Sequence, residues 1–176
     1  MKVEENKIEL PTSSIELVNK LDNWKISYKL YFHEPLRTVK ESKTMQKKIF
    51  GLDKSNGHIK NLFLRDKRKN NILLVAHQDT IIDLKLLAKN LNLDRLSFGS
   101  PERLMENLGV LPGAVSPFSM INGVKKDVKL FLDNNLKSFK KIFAHPLENN
   151  QTVEIPIEQL EIFFKKISAK PIWISL

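Results

Sequence analysis

The chain has 176 residues, 41% of them hydrophobic and 8% aromatic, which is enough to bury the core of one ordinary domain. It contains no cysteine, and this excludes disulfides, zinc sites built on thiolates and a cysteine nucleophile. The 29 Lys and Arg residues against 20 Asp and Glu residues leave a net charge of +9, which favours an anionic partner such as nucleic acid.

The N-terminal segment predicts a helix followed by a strand. Ser13 and Glu16 have the spacing of a capping box, and the apolar stripe behind them predicts a helix over about 14–23. Apolar residues then alternate over 26–32, which predicts a half-buried strand. Pro35 ends it, because proline cannot donate to a strand ladder.

A second helix and a hairpin are expected next. A capping-box spacing that begins at Thr38 predicts a helix through about Ile49, and a loop follows over 51–57. Apolar runs over 59–65 and 72–77 predict two strands, since a short, highly charged turn joins them.

The middle of the chain combines a helix, a short strand, a second helix and a stiff loop. Asp83 is a natural cap for the first helix, and the strand follows near residue 97. Ser100 caps the second helix and Gly109 ends it. The loop at 113–117 is rich in small residues and proline, so we expect an accessible backbone there.

The remaining chain predicts a mixed sheet. Strands are expected over 128–132, 142–144 and 151–155, Pro156 starts a last helix, and the final residues PIWISL form a strand. Hairpins together with a few helices predict an α+β fold, a single domain whose mixed, mainly antiparallel sheet is flanked by helices. No repeat or interdomain linker interrupts it.

Common catalytic signatures are absent from the sequence. It has no phosphate-binding loop, no dinucleotide fingerprint and no nucleophile elbow. The four histidines never occur at metal-binding spacings, so we expect neither a metal site nor a cofactor. An enzyme of this composition would work with positioned water, backbone donors and a cation.

Three places carry residues suited to that chemistry. Lys60, followed by Asn61, lies at the head of an apolar strand, where its ammonium could hold a phosphate or polarise a carbonyl. His145 follows another apolar strand, and the loop at 113–117 offers main-chain donors. A solvated lysine, a structural histidine and a plain turn are the alternatives.

These three places also carry a resemblance to a known family. The segments IKNLFLRDK (59–67), LSFGSPERLMENLGVLPGAVSPFSMIN (96–122) and HPLENNQTVEIP (145–156) resemble the YbaK/prolyl-tRNA-synthetase-associated editing family. Within it they are most similar to the free-standing alanyl-tRNA(Pro) deacylases. The likeness runs from about Tyr28 to the C-terminus, and HEPLRT at 33–38 is its loosest part.

The resemblance implies a curled sheet, a single editing domain over 1–176 with a helical extension over 1–25, and a set of site residues. The catalytic residues it implies are Lys60, Gly113 and His145. The substrate-binding residues it implies are Asn61, Ala114, Val115, Ser116 and Pro117.

The function implied is hydrolysis, without metal or cofactor, of the ester in mischarged alanyl-tRNA(Pro). The alternatives are a deacylase for tRNA misacylated with cysteine or serine, and a non-catalytic tRNA-binding or regulatory module. The partners implied are tRNA and prolyl-tRNA synthetase. The basic run Arg65, Lys67, Arg68 and Lys69 would touch RNA phosphates or form a solvated turn. The sequence has no secretory signal and no apolar run near ~20 residues, so a cytoplasmic location without membrane contact is expected.

Overall fold

The structure is a computed structural model that describes residues 9–35, 44, 47–48 and 55–176. Five α-helices lie in that part of the chain: α1 Ser14–Asn23, α2 Leu84–Asn90, α3 Pro101–Leu108, α4 Met120–Gly123 and α5 Ile157–Lys166. The same residues contain eight strands: β1 Lys29–Phe32, β2 Asn56–Arg65, β3 Asn71–His77, β4 Ser97–Phe98, β5 Lys129–Asp133, β6 Lys141–Ala144, β7 Gln151–Pro156 and β8 Ile172–Ile174. No described helix is both long and apolar enough to span a bilayer.

The eight strands form one open, mixed sheet. Its order is β1-β7-β6-β2-β3-β5-β8, and β4 adds to β2 beside that path. The antiparallel pairs are β1–β7, β6–β7, β2–β3 and β2–β4. The parallel pairs are β2–β6, β3–β5 and β5–β8. The predicted α+β fold with a mixed, mainly antiparallel sheet is therefore confirmed.

Local signals in the sequence placed the helix ends correctly. Ser13 and Glu16 form the predicted capping box at the start of α1. The Ser100 side chain caps α3, and Gly109 closes it in the left-handed conformation with φ +64°. Asp83 caps α2 by accepting from two main-chain N–H groups. Each of these signals depends only on residues within one turn, which is why the sequence alone suffices.

Other expectations need correction or lie outside the described residues. Phe32 was expected on the buried side of β1, but 73% of it is exposed. The loop predicted over 51–57 ends earlier, because β2 already begins at Asn56. Pro156 is the cap before α5 rather than its first residue. The helix predicted over 38–49 lies almost entirely outside the described residues.

Helices cover the sheet on both faces. A main core on one face combines the sheet with α1, α3, α4 and α5, and it contains Leu17, Leu108, Met120 and Phe163, all nearly inaccessible to solvent. A second core on the other face packs α2 against the end of β2, β3 and β5. Its buried members are Leu64, Ile72, Leu74, Leu87, Ala88, Leu96 and Phe131.

Candidate active site

The sheet face that carries the second core is polar over its other half. Alternate residues of a strand share a face, and paired residues on neighbouring strands share it too. Lys29, Glu154, Phe143 and His58 are successive partners across β1, β7, β6 and β2, so their side chains lie on one face. We call this region the polar half. Its polar members on the strands are Lys29, Tyr31, Asn56, His58, Lys60, Lys141, Thr152 and Glu154.

The parallel pairing of β2 with β6 brings two of the predicted site residues together. His58 pairs with Phe143, and their rings stack with centroids 4.9 Å apart. Lys60 lies two residues after His58 in β2. His145 lies two residues after Phe143, just beyond the end of β6. Because paired parallel strands are about 4.8 Å apart, both residues reach the same end of the polar half.

The Lys60 side chain is half-buried and held by a main-chain carbonyl. Its Nζ donates a hydrogen bond to the carbonyl oxygen of Thr80, in the turn that follows β3. Within the described part of the chain, Lys60 forms no salt bridge. An ammonium group has three donors, so two remain for an incoming anion or carbonyl.

His145 is held in a neutral form with one nitrogen available. Its Nδ1 lies 2.7 Å from the carbonyl oxygen of Gln151, and since a carbonyl only accepts, Nδ1 carries the proton. Burial lowers the pKa of His145. The Gln151 hydrogen bond opposes that shift and the charge of His33 adds to it. Near neutral pH the Nε2 atom is therefore a hydrogen-bond acceptor.

His33 is a neighbour of this site that the sequence did not single out as a site residue. Its ring centroid lies 6.0 Å from that of His145. The Nδ1 atom lies 2.9 Å from the Glu34 carbonyl oxygen, and Nε2 lies 2.9 Å from the Thr152 hydroxyl. The signal available in the sequence was the HEPLRT segment, which resembles the start of the family pattern only loosely.

The one carboxylate among the strand residues of the polar half is already engaged. Glu154 accepts from Lys141 Nζ at 2.7 Å and from the Tyr31 hydroxyl at 2.8 Å. Burial alone would raise its pKa, but these two hydrogen bonds and the charges of Lys141 and Lys29 outweigh burial, so the pKa of Glu154 is lowered. It is therefore a poor proton acceptor at neutral pH.

The glycine of the predicted loop lies beside the segment that follows β6. Gly113 has φ +88°, a conformation that favours glycine, and it is exposed. A Cβ atom built on it would lie 3.5 Å from Nδ2 of Asn149, which follows His145 in the same connecting segment. The loop and His145 therefore belong to one end of the molecule.

The rest of the loop offers main-chain groups rather than side chains. Ala114, Ser116 and Pro117 are buried, and the Ser116 hydroxyl accepts from the Phe118 N–H. The N–H of Ala114 donates to Leu111 and that of Ser116 donates to the Ser119 hydroxyl. Within the described residues, the N–H groups of Gly113 and Val115 have no acceptor.

Asn61 does not share the face of Lys60. Consecutive strand residues point to opposite faces, so Asn61 points to the same side as Phe63, a member of the main core. Its Oδ1 atom is buried, and among the described residues no group donates to it. The same is true of Oδ1 in Asn150, next to Asn149. Such orphaned acceptors favour a donor from a ligand or a water molecule.

A second feature, which we call the basic cleft, lies at the far end of β2. It has a volume of about 650 Å³, and Phe98, 63% exposed, forms part of its wall. The basic residues that line it are Arg65, Lys67, Lys69, Arg95 and Arg103. Among the described residues, Asp66 is the one acidic residue that lines it, and its carboxylate accepts hydrogen bonds from Asn70 at 2.7 and 2.8 Å.

The cleft includes only part of the basic run of the hairpin, and contact of that run with RNA stays a prediction. Arg68 does not line it, because its Nε pairs with Asp94 at 2.9 Å. Arg95 and Arg103 do line it, although they come from the segment around β4 and α3. They reach the hairpin because β4 pairs with β2 through Leu64 and Phe98. The sequence around the hairpin gives no sign that β4 pairs with β2.

Comparisons with known proteins show the family of this chain. Residues 33–163 match the aminoacyl-tRNA editing domain. The chain is 37% identical over 150 residues to the prolyl-tRNA editing protein ProX of Acetoanaerobium sticklandii, an alignment covering 85% of this chain and 88% of that protein. It is 35% identical over 120 residues to the prolyl-tRNA synthetase associated domain-containing protein 1 of Mus musculus, covering 65% and 70%.

A solved structure shares the fold. The crystal structure of a candidate trans-editing enzyme for prolyl-tRNA synthetase superimposes with a TM-score of 0.68, at 17% identity, over 94% of this chain and 98% of that one. At that identity the likeness concerns the fold alone. The match over 33–163 and the identity to ProX assign the family directly. The chain belongs to the aminoacyl-tRNA editing domain family.

Proposed function

We propose that this chain is a trans-editing deacylase that hydrolyses the ester of alanine mischarged onto tRNA(Pro). The observation that carries the proposal is the meeting of three separate segments, which contribute Lys60, His145 and Gly113. The 37% identity to a protein named for prolyl-tRNA editing supports the substrate. The editing domain over 33–163 supports the reaction class.

In the proposed reaction a water oxygen attacks the ester carbonyl carbon. The bond from that carbon to the ribose oxygen then breaks, the ribose oxygen takes up a proton, and alanine and tRNA are released. Negative charge collects on the carbonyl oxygen in the transition state, so donors aimed at that position lower the barrier. The free N–H groups of Gly113 and Val115 are suited to this role.

Lys60 supplies positive charge in this scheme. Its two remaining N–H donors engage the terminal phosphate or the ester of the substrate, while the third is held by Thr80. His145 contributes through Nε2, which accepts a hydrogen bond from the attacking water. Its lowered pKa keeps it neutral, and this is the form that can accept.

Selection among amino acids is proposed to rest on size. Ala114 and Pro117 are buried in the fold, so the wall that they form cannot retreat from an oversized side chain. A synthetase pocket built for proline loses only ~1–3 kcal/mol on binding the smaller alanine, which is why a second, smaller site is useful. Alanine should be cleaved rapidly, and the cognate prolyl ester should survive.

The basic cleft is proposed as the contact for the RNA backbone. Phe98 of the cleft pairs with Leu64, which lies four residues beyond Lys60 on the same face of β2, a distance of about 13 Å along the strand, so one RNA molecule can reach both places. Five cations without a salt bridge among the described residues suit phosphates, and the exposed Phe98 ring suits a base or ribose. The partners proposed are therefore mischarged tRNA(Pro) and prolyl-tRNA synthetase, with action in the cytoplasm.

The decisive experiment compares hydrolysis of Ala-, Ser-, Cys- and Pro-tRNA(Pro) at equal enzyme concentration. We expect alanine to be released fastest, serine more slowly, and proline not detectably. Faster release of cysteine than alanine would assign the chain to the cysteinyl branch. Binding of tRNA without release of any amino acid would make it a non-catalytic module.

Metal independence is part of the proposal and has its own test. The chain has no cysteine, and among the described residues no three His, Asp or Glu side chains are grouped as metal ligands. Dialysis against EDTA, followed by return of the magnesium that tRNA folding needs, should leave the rate unchanged. A rate that returned only with zinc would contradict the proposal.

A further inference from the structure

A buried carboxylate lies in line with Lys60, two strands away. Lys60 pairs with Ala76 of β3. The last β3–β5 pair is Val75 with Leu132, so Ala76 and Asp133 are the next residues along these two strands, and each alternates with a member of the Leu74–Phe131 pair. Paired residues share a face, so Lys60, Ala76 and Asp133 form one row on the same side of the sheet. Ala76 has no side chain beyond Cβ, and this leaves room on that face between Lys60 and Asp133.

Thr80 joins the two ends of this row. Its hydroxyl donates to Oδ2 of Asp133 at 3.2 Å, and its main-chain carbonyl accepts from Nζ of Lys60. Its own N–H donates to the carbonyl of His77, which closes the turn after β3. One residue therefore links the buried carboxylate to the ammonium group.

Asp133 is a rigid anchor for this link. It is fully buried, and its other hydrogen bonds come from Asn135, whose N–H lies 3.0 Å and whose Nδ2 lies 3.5 Å away. Within the described residues, Asp133 forms no salt bridge. A buried charge is tolerated only when hydrogen bonds satisfy it. Loss of the hydrogen bond from Thr80 would therefore cost free energy, and this cost holds the Thr80 hydroxyl in its direction.

We propose that Thr80 is a positioning residue for Lys60. Its hydroxyl, fixed by Asp133, sets the direction of its carbonyl, and that carbonyl holds one of the three Lys60 donors so that the other two face the substrate. The inference rests on the proposed function, in which Lys60 contacts the aminoacyl ester or its phosphate. A cation misplaced by about 1 Å loses a large part of its effect on the transition state.

The test uses three variants of the full chain. Thr80→Val keeps the shape and the carbonyl but removes the hydroxyl, whereas Thr80→Ser keeps the hydroxyl. Thr12→Val is the matched control, because it removes a threonine hydrogen bond of 2.8 Å, to Asn122, in the segment before α1. We expect Thr80→Val to lower kcat for Ala-tRNA(Pro) about tenfold with KM unchanged. Thr80→Ser and Thr12→Val should retain the wild-type kcat.

A second measurement does not depend on deacylation. The rate of reductive methylation of Lys60, followed by mass spectrometry of its peptide, reports how firmly the ammonium is held. We expect Thr80→Val to label Lys60 several times faster than wild type, and Thr12→Val to leave the rate unchanged. If the valine methyl group beside the Asp133 carboxylate prevents folding, Thr80→Ala removes the hydroxyl without adding that group.

The outcomes separate the inference from the proposed function. Absence of amino-acid release from any charged tRNA by the wild type would end the proposed function, and the labelling rates would still test the position of Lys60. An active wild type with unchanged kcat and unchanged labelling in the Thr80→Val chain would overturn the inference. Equal losses in Thr80→Val and Thr80→Ser would overturn it as well.

Discussion

One strand crosses two regions of opposite character on the same face of the sheet. His58 and Lys60 of β2 belong to the polar half, whereas Leu62 and Leu64 pack with the second core. In the second core the side chains interlock with α2. In the polar half several groups are held by particular hydrogen bonds, such as those from Lys60 to Thr80 and from Lys141 to Glu154.

The second core and the polar half contribute differently to stability and to catalysis. Apolar burial is worth roughly 25 cal/mol per Å², so the second core contributes in proportion to its buried area. Hydrogen bonds in the polar half contribute little net free energy, because each replaces a bond to water. We therefore expect substitutions in the second core to lower stability and substitutions in the polar half to lower turnover.

The largest effect on stability should come from the second core. Leu74 is fully buried there, and Leu74→Ala should lower the free energy of unfolding by about 2–5 kcal/mol through reduced burial and a cavity. Urea unfolding measures the change, and Ile15→Ala, at a position 72% exposed, is the control. If Leu74→Ala lowered turnover per folded molecule as much as a site variant does, the second core and the polar half would not differ in their roles.

Lys60→Ala should give the largest loss of activity. Removing one preorganised electrostatic interaction is expected to lower kcat/KM for Ala-tRNA(Pro) by at least ~100-fold, with the circular dichroism spectrum unchanged. Lys129→Ala, which removes an exposed strand lysine of β5, is the matched control and should remain active. Near-wild-type turnover without Lys60 would remove it from the mechanism.

The basic cleft lies outside the polar half, and we expect its arginines to affect binding of tRNA rather than the chemical step. Arg95→Ala and Arg103→Ala should each raise KM for charged tRNA and flatten its salt dependence by about one unit of slope for each phosphate that the protein no longer binds. Arg68→Ala is the matched control, because that guanidinium is already paired with Asp94. Equal effects at all three arginines would show that this end of the molecule acts only through its total charge.

The smallest effect concerns pH. Burial holds the folded-state pKa of His145 below the value near 6.5 expected in the unfolded chain, so the unfolded chain takes up the proton first as pH falls. Stability should therefore decrease as pH drops below about 6.5. Burial also lowers the pKa of His58, which acts in the same direction. His145→Gln should make the decline of the unfolding free energy shallower, and an unchanged pH slope would contradict the pKa shift.

Local rules predicted the capped ends of α1, α2 and α3 because their signals lie within a few residues. Ser100 and Gly109 bound α3 by side-chain and backbone conformations that do not depend on the rest of the fold. The exposure of Phe32 was not predictable in this way, because it depends on which neighbours cover β1. Burial in a sheet is decided by the strands and helices that pack on it.

The candidate site was predictable in part. Lys60, His145 and Gly113 follow from motifs, and these motifs occupy separate segments that the fold brings to one end of the molecule. Alternation along a strand already indicates that Asn61 faces away from Lys60. Thr80 and Arg95 required the strand pairings themselves, since no spacing in the sequence connects either residue to β2.

Under the proposed mechanism, activity depends on the parallel ladder between β2 and β6. Its two strands are separated in the chain by β3, α2, β4, α3, α4 and β5, so the ladder closes a long loop, and such non-local pairings form late in folding. A chain still emerging from the ribosome can form the β2–β3 hairpin early, but it has no His145 beside Lys60 until β6 has been synthesised and has docked. If Lys60 and His145 act together as proposed, we expect proofreading to begin only after this long-range step of folding, and partly folded chains to be inert toward charged tRNA.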